Sequence, residues 1–172
     1  MILGGSPVYT FASANVGTGI TMTTSGYTIS GTDSGNYTLT QPTLSGDITA
    51  APLTITADAD TKVYGATDPT LTYSITGFQG TDTEADLDTA VSISRAAGED
   101  VDTYTITPSG AADSNYTVSF VTADFTITAA DLTVTADADT KVYGATDPTF
   151  TFTITGFVNG DTEADLDTNS SI

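Results

Sequence analysis

The eighteen residues Leu53-Thr-Ile-Thr-Ala-Asp-Ala-Asp-Thr-Lys-Val-Tyr-Gly-Ala-Thr-Asp-Pro-Thr70 return at Leu132 to Thr149 with one change, Ile55 to Val134, at an offset of 79. A period of this kind marks an array of small modules, each gaining stability from its neighbours. Aligned without gaps, Leu53 to Ile93 and Leu132 to Ile172 differ at nine of 41 positions. Changes in the apolar pattern are mostly conservative, as in Leu71 to Phe150 and Tyr73 to Phe152, with Val91 to Ser170 the exception. The freer ones cluster in Gln79-Gly-Thr81, now Val158-Asn-Gly160. Keeping the apolar positions while relaxing a turn is how a packed module diverges.

The same offset ties the front of the chain to its middle. Ser30-Gly31 matches Ser109-Gly110, Asn36-Tyr37-Thr38 matches Asn115-Tyr116-Thr117, and Ile48-Thr-Ala50 matches Ile127-Thr-Ala129. Upstream the lengths diverge: Val16 lies 20 residues before its Asn-Tyr pair and Val101 lies 14 before, so the front unit is a related subtype with six extra residues. Residues 1–51 therefore read as the back of one unit, 52–130 as a complete unit, and 131–172 as the front of another. The edges, 47–53 and 126–132, have no glycine and little slack, which predicts a stiff joint. Head and tail are nearly complementary. The simpler reading is a cut through a longer array; the other is head-to-tail self-association that completes a module by strand addition.

Period-2 alternation runs through the complete unit: Leu53 and Ile55; Leu71, Tyr73 and Ile75; Val91 and Ile93; Tyr104 and Ile106; Tyr116, Val118 and Phe120; Phe125 and Ile127. Turn formers separate these runs, among them Tyr64-Gly65, Asp68-Pro69, Ala97-Gly98 and Asp113-Ser-Asn115. The 38 threonines suit half-exposed strands. The fold expected is mostly β, built of tandem small modules of six strands, with a small β-sandwich as the alternative arrangement. Thr81-Asp-Thr-Glu-Ala-Asp-Leu-Asp88 is the one helical stretch, at most two turns, with a capping box of Thr81 and Glu84. The second copy has Gly160 at that cap position, so the box is not essential there.

Net charge is −19, from 22 acidic residues against Lys62, Arg95 and Lys141. Such a surface repels phosphate backbones and anionic lipid, which argues against nucleic-acid and membrane partners. No apolar run approaches the roughly 20 residues of a membrane span. Met1 to Ser6 has neither a basic region nor an apolar core, so no signal peptide is read here.

Catalysis finds little support. The chain has no His and no Cys, hence no Ser-His or Cys-His pair, and no Gly-rich loop with a following Lys cradles a phosphate. The carboxylates sit in turns that recur in each unit, whereas an active site is needed only once. Ca²⁺ is the one cofactor the residues suggest, because hard oxygen ligands at alternate positions suit it. Asp82, Glu84, Asp86 and Asp88 form one ligand set and Asp58, Asp60 and Asp68 another. The plainer alternative is a solvated acidic turn. Tyr64 and Tyr143 read as strand-end aromatics with the ring partly in the core, ahead of a sugar-stacking role. Lys62 and Asn115 raise an isopeptide crosslink, but Lys62 reads first as a lone surface cation among acids.

Taken together, Leu53 to Pro69, Arg95 to Ile106, Ser114-Asn-Tyr-Thr-Val118 and the restart at Leu132 resemble the MBG domain of the Tyr-Gly type. Tyr9 to Gly19 with Gly35-Asn-Tyr-Thr-Leu39 resembles the end of the related YDG domain. The likeness covers nearly the whole chain. It implies a β-grasp-like fold and a place in tandem arrays of large exported bacterial proteins, including haemagglutinin-like adhesins. The role implied is an extracellular stalk or adhesive spacer at the bacterial surface, with neighbouring repeats as the constant partners. A glycan or host surface protein is the partner implied if the repeat face itself binds. The family supplies no agreed binding residues to transfer.

Overall fold

The computed structural model describes residues 1–166. It contains twelve strands and three short 3₁₀ turns among those residues. The fold is mostly β, in several small sheets, as the alternation predicts. Ile172, the counterpart of Ile93, lies outside the described residues.

Two compact units emerge from the packing. The first comprises residues 1–55, 75–91 and 110–119, and the second comprises 56–74, 92–109 and 120–172. Each therefore draws on more than one sequence repeat.

In the first unit, β1 (Ile2–Phe11), β2 (Gly17–Ser30) and β3 (Thr43–Ile48) form an antiparallel meander in the order β1-β2-β3. β4 (Ala51–Ala57) starts soon after β3 ends. It is central in a second sheet, flanked by β6 (Tyr73–Thr76) and β9 (Tyr116–Val121). The chain passes from one unit to the other within these three strands. Leu53 and Ile55 of β4 are fully buried, and each such aliphatic side chain contributes roughly 1.5–3 kcal/mol on leaving water.

The second unit is built on a four-stranded sheet in the order β5-β10-β8-β7. Its strands are β5 (Asp60–Val63), β7 (Ser92–Arg95), β8 (Thr103–Ser109) and β10 (Ala123–Thr128). β7, β8 and β10 pair antiparallel, and β5 joins the far edge of β10 in parallel, from Asp60 opposite Phe125 to Val63 opposite Thr128. Ala57, Ile106, Phe125 and Ile127 form the core, with Tyr64, Leu71, Ile93 and Tyr104 packed around it. The tail adds a two-stranded sheet, β11 (Thr133–Ala136) with β12 (Phe152–Thr155).

Three expectations change. The complete repeat has seven strands, because β5 forms where a turn region was expected. The helical stretch is only a three-residue 3₁₀ turn, Glu84–Asp86, capped by Thr83 and Asp86 rather than Thr81 and Glu84. Thr83 is in extended conformation, its hydroxyl and amide both bond the Asp86 carboxylate, and the chain resumes an extended path at Leu87. The second copy keeps the same box, with Thr162 and Asp165, so Gly160 is no departure from it.

One glycine position recurs for a steric reason. Gly77 and Gly156, at φ +112° and +105°, follow β6 and β12. A side chain there would run into the carbonyl oxygen of Pro52 or of Asp131, respectively. Only glycine takes that backbone conformation without penalty.

Candidate functional site

The acidic residues read as calcium ligands each have a protein partner or a local role. Asp58 accepts the Thr72 hydroxyl at 2.7 Å, and Asp60 accepts the amide of Thr61 at 2.7 Å. Asp82 accepts the Tyr116 hydroxyl at 2.6 Å, and Asp88 accepts the Ser114 amide at 3.0 Å. Asp86 caps its own turn, and the Thr83 amide and hydroxyl hold its carboxyl below the ordinary range. Glu84 opens the same 3₁₀ turn. Asp68 faces two cations. No three acidic side chains among the described residues converge in a group that would hold a metal ion. The carboxylates of each predicted set are thus distributed over separate hydrogen bonds, which is what turn-forming acids do.

Lys62 departs most from its expected place. β5 carries it inward, its side chain is only 4% exposed, and it is one of two polar residues buried among those described. Its ammonium donates to Asp68 at 2.7 Å and also to Glu99. Arg95, on β7, closes the group. Its Nε donates to Asp68 Oδ2 at 2.6 Å and its Nη2 to Asp68 Oδ1 at 3.1 Å, a two-point fork. The same Nη2 donates to Glu99 at 2.5 Å, and Nη1 donates to the carbonyls of Ala96 and Gly98. The guanidinium also lies over the rings of Phe125, at 4.9 Å, and Tyr104, at 5.6 Å. Two cations meet two anions, so the charges cancel where Lys62 is shielded from water, as burial demands.

The electrostatics follow from these contacts. Arg95 first and Lys62 second hold the Asp68 carboxyl down at about 2. Lys62 first and Arg95 second lower Glu99. Asp68 and then Glu99 raise Lys62, and Asp68 is the main cause that raises Arg95. An amide crosslink from Lys62 needs a neutral amine and a protonated carboxyl, and this arrangement favours the opposite state of both. Asn115 is engaged elsewhere: its Oδ1 accepts the amide of Val16 at 2.9 Å, and its carbonyl accepts the amide of Ala51 at 3.0 Å. The structure makes Lys62 the centre of an ion cluster, neither a lone surface cation nor a crosslink donor. Its signal in the sequence was the Lys-to-Asp spacing of six, present again at Lys141 and Asp147.

Tyr64 is half-buried against the core, and its hydroxyl accepts the Asn159 side-chain amide at 3.3 Å. Tyr143, its counterpart, is fully exposed. The core expectation therefore holds for the first and not for the second.

The Ser-Asn-Tyr segment of the complete repeat has a defined seat in the first unit. Phe78 meets Tyr116 edge to face, with ring centres 5.8 Å apart at 85°. The Tyr116 hydroxyl donates to Asp82 and accepts the Gln79 amide at 2.9 Å. Asp82 raises the Tyr116 pKa, which keeps the hydroxyl a donor. Alongside, the Thr54 and Ser119 hydroxyls lie 3.1 Å apart, and Ser119 donates to the Leu53 carbonyl. In the second unit, a cavity of about 220 Å³ is lined by Tyr64, Val101 and Ala129 of the complete repeat and by Leu132, Phe157 and Asp161 of the tail, among others.

Small sheets opened twice by one entry stretch define a tandem β module. The family models agree. An MBG domain (YGX type) model matches residues 53–126 and 132–172, and a YDG domain model matches residues 1–44. The chain belongs to the MBG domain family of the YGX type. Such domains are repeat modules of large surface proteins and are typically structural, without catalytic activity. No curated protein and no solved structure matches the chain. No helix among the described residues is long and apolar enough to cross a membrane.

Proposed function

We propose that this chain is a non-enzymatic spacer from an extracellular bacterial surface adhesin, in which successive repeats hold a distal binding region away from the cell. The observation that carries this reading is the close succession of repeats. β4 starts at Ala51 after β3 ends at Ile48, and β11 starts at Thr133 after β10 ends at Thr128. Joints this short leave little slack for adjacent modules to swing. The acidic surface supports the same role, since a large net charge keeps an extended chain soluble. Small-angle scattering tests it at high dilution. A spacer gives a radius of gyration well above the roughly 16 Å of a compact domain of this length. A value near that figure overturns the reading.

A further inference from the structure

The complete repeat begins and ends on strands that run side by side. In the first unit, the Ala51 amide at the start of β4 donates to the Asn115 carbonyl, just ahead of β9, at 3.0 Å. Further along, Ser119 donates to the Leu53 carbonyl and lies 3.1 Å from the Thr54 hydroxyl. The contacts advance in the same direction on both strands, so β4 and β9 are parallel neighbours. In the second unit, β5 and β10 are parallel from Asp60 opposite Phe125 to Val63 opposite Thr128. The Tyr64 amide extends that ladder to the Thr128 carbonyl. The separation from Ala51 to Asn115 is the same 64 residues as that from Tyr64 to Thr128. Only Asp58 and Ala59 part β4 from β5, and only Thr122 parts β9 from β10. The entry run 51–63 and the exit run 116–128 are therefore parallel neighbours in each unit.

Hydroxyls reinforce both pairs across the strands. Thr61 donates to the Thr126 carbonyl at 2.8 Å, Thr128 to the Lys62 carbonyl at 3.3 Å, and Ser119 to the Leu53 carbonyl at 3.2 Å. Lys62 is held in addition by its ion pairs to Asp68 and Glu99. In a tandem chain, tension reaches the module through Ala51 and leaves it past Thr128. It draws the entry run toward its N-terminal end and the exit run toward its C-terminal end. For parallel neighbours those pulls are opposed along one axis, so the strands are loaded in sliding. The evenly spaced bonds of a parallel ladder must then yield together, whereas strands drawn apart from a shared end lose them one at a time.

We infer that the parallel entry and exit runs are a shear clamp, by which the complete repeat resists tension applied along the chain. The hydroxyls of Thr61, Thr128 and Ser119 staple it. Force passes directly from one run to the other, so the residues between them carry no load until the clamp gives. Resistance to pulling is set by the rate of unfolding, and the clamp contacts are the ones that must break first. The inference goes beyond the spacer reading. A chain can be extended without resisting tension, and the clamp resists tension whatever the module carries.

Single-molecule pulling of the whole chain between handle domains tests it. Held by its two ends, the chain gives a resisting step of roughly 250 Å, the extended length of the complete repeat, which sets it apart from the shorter head and tail. Ala66→Cys places the chain's one thiol in the exposed turn after β5, as a second point of attachment. Pulled between that thiol and the C-terminal end, β5 and β10 part from a shared end, and the force needed is at least about twofold lower. The same variant pulled by its two ends keeps the higher force. Thr61→Val combined with Thr128→Val raises the end-to-end unfolding rate at fixed force about tenfold. Thr107→Val, on β8 and outside both pairs, leaves that rate unchanged, and melting curves verify that the variants keep their fold. Equal forces in the two directions overturn the clamp, as does extension of the repeat without a resisting step. A double variant that unfolds under load at the rate of Thr107→Val overturns the hydroxyl staples.

Discussion

The two copies of the entry stretch are nearly one sequence in two structural states. Leu53 is fully buried and Leu132 is 44% exposed. Lys62 is buried in an ion cluster, while Lys141 reaches only Asp147 and keeps about half of its side chain in water. Asp60-Thr-Lys-Val63 is strand β5, and the identical Asp139-Thr-Lys-Val142 takes no strand form. The difference lies in what stands alongside. β5 forms against the edge of β10, and the positions 79 residues after Arg95 and Glu99 lie beyond residue 172. Local propensity is equal in the two copies, so tertiary pairing alone decides the outcome. The entry stretch supplies half of a module, and the rest of the repeat completes it.

The sharpest way to break this comparison is to remove the same leucine twice. Leu53→Ala costs about 2–5 kcal/mol in denaturant unfolding, because the site is sealed and a cavity remains. Leu132→Ala costs about 1 kcal/mol, since half of its surface is already in water. Equal losses would mean that the two copies share one environment.

Acid titration offers a second, smaller test. The Asp68 carboxyl is depressed to about 2 in the folded state against roughly 4 when unfolded. A depressed carboxylate contributes stability that is present above the unfolded value and is lost as pH falls through the folded one. Protonation of the many other acids also relieves repulsion, so the informative quantity is the difference between the unaltered protein and Asp68→Asn. That gap in melting temperature is full at neutral pH and narrows between about pH 4 and pH 2. Asp147→Asn, at an ion pair exposed to water, costs little at neutral pH by the same measurement. A gap for Asp68→Asn that does not change with pH would separate Asp68 from the stability of the cluster.

The smallest effect is local. The Tyr64 amide donates to the Thr128 carbonyl at 2.8 Å at the end of β5. Hydrogen exchange therefore finds it protected, while the amide of Tyr143 exchanges near the rate of an open chain. Similar rates would show that strand pairing does not distinguish the copies.

These contrasts also explain what was legible beforehand. Leu53, Ile55, Ile106, Phe125 and Ile127 were readable because they alternate within their own strands, and all five are buried. β5 could not be read, because a tetrapeptide that is a strand in one copy and irregular in the other carries no local signal. The ion cluster was half legible. The Lys62–Asp68 spacing repeats, but Arg95 and Glu99 arrive from far along the chain, and only sheet pairing places them beside Lys62. The capping box was misplaced by two residues because Thr81-Asp-Thr83 offers two frames. Comparing Gly160 and Thr162 in the second copy resolves the choice, since only the later frame keeps a hydroxyl in both. Spacing alone does not say which neighbouring amides and hydroxyls bond the carboxylates of the acidic turns, as they do at Asp58, Asp82, Asp86 and Asp88.

The burial of Lys62 and Arg95 reaches beyond stability. The chain has three basic residues, and the side chains of two of them are 4% and 9% exposed. A protease that cuts after lysine or arginine must draw an extended segment into its cleft, which neither β5 nor β7 can supply without opening its sheet. Lys141, in the irregular stretch, is the one such bond that the native chain offers. Burying Lys141 in a completed cluster, as Lys62 is buried, would shield that bond as well.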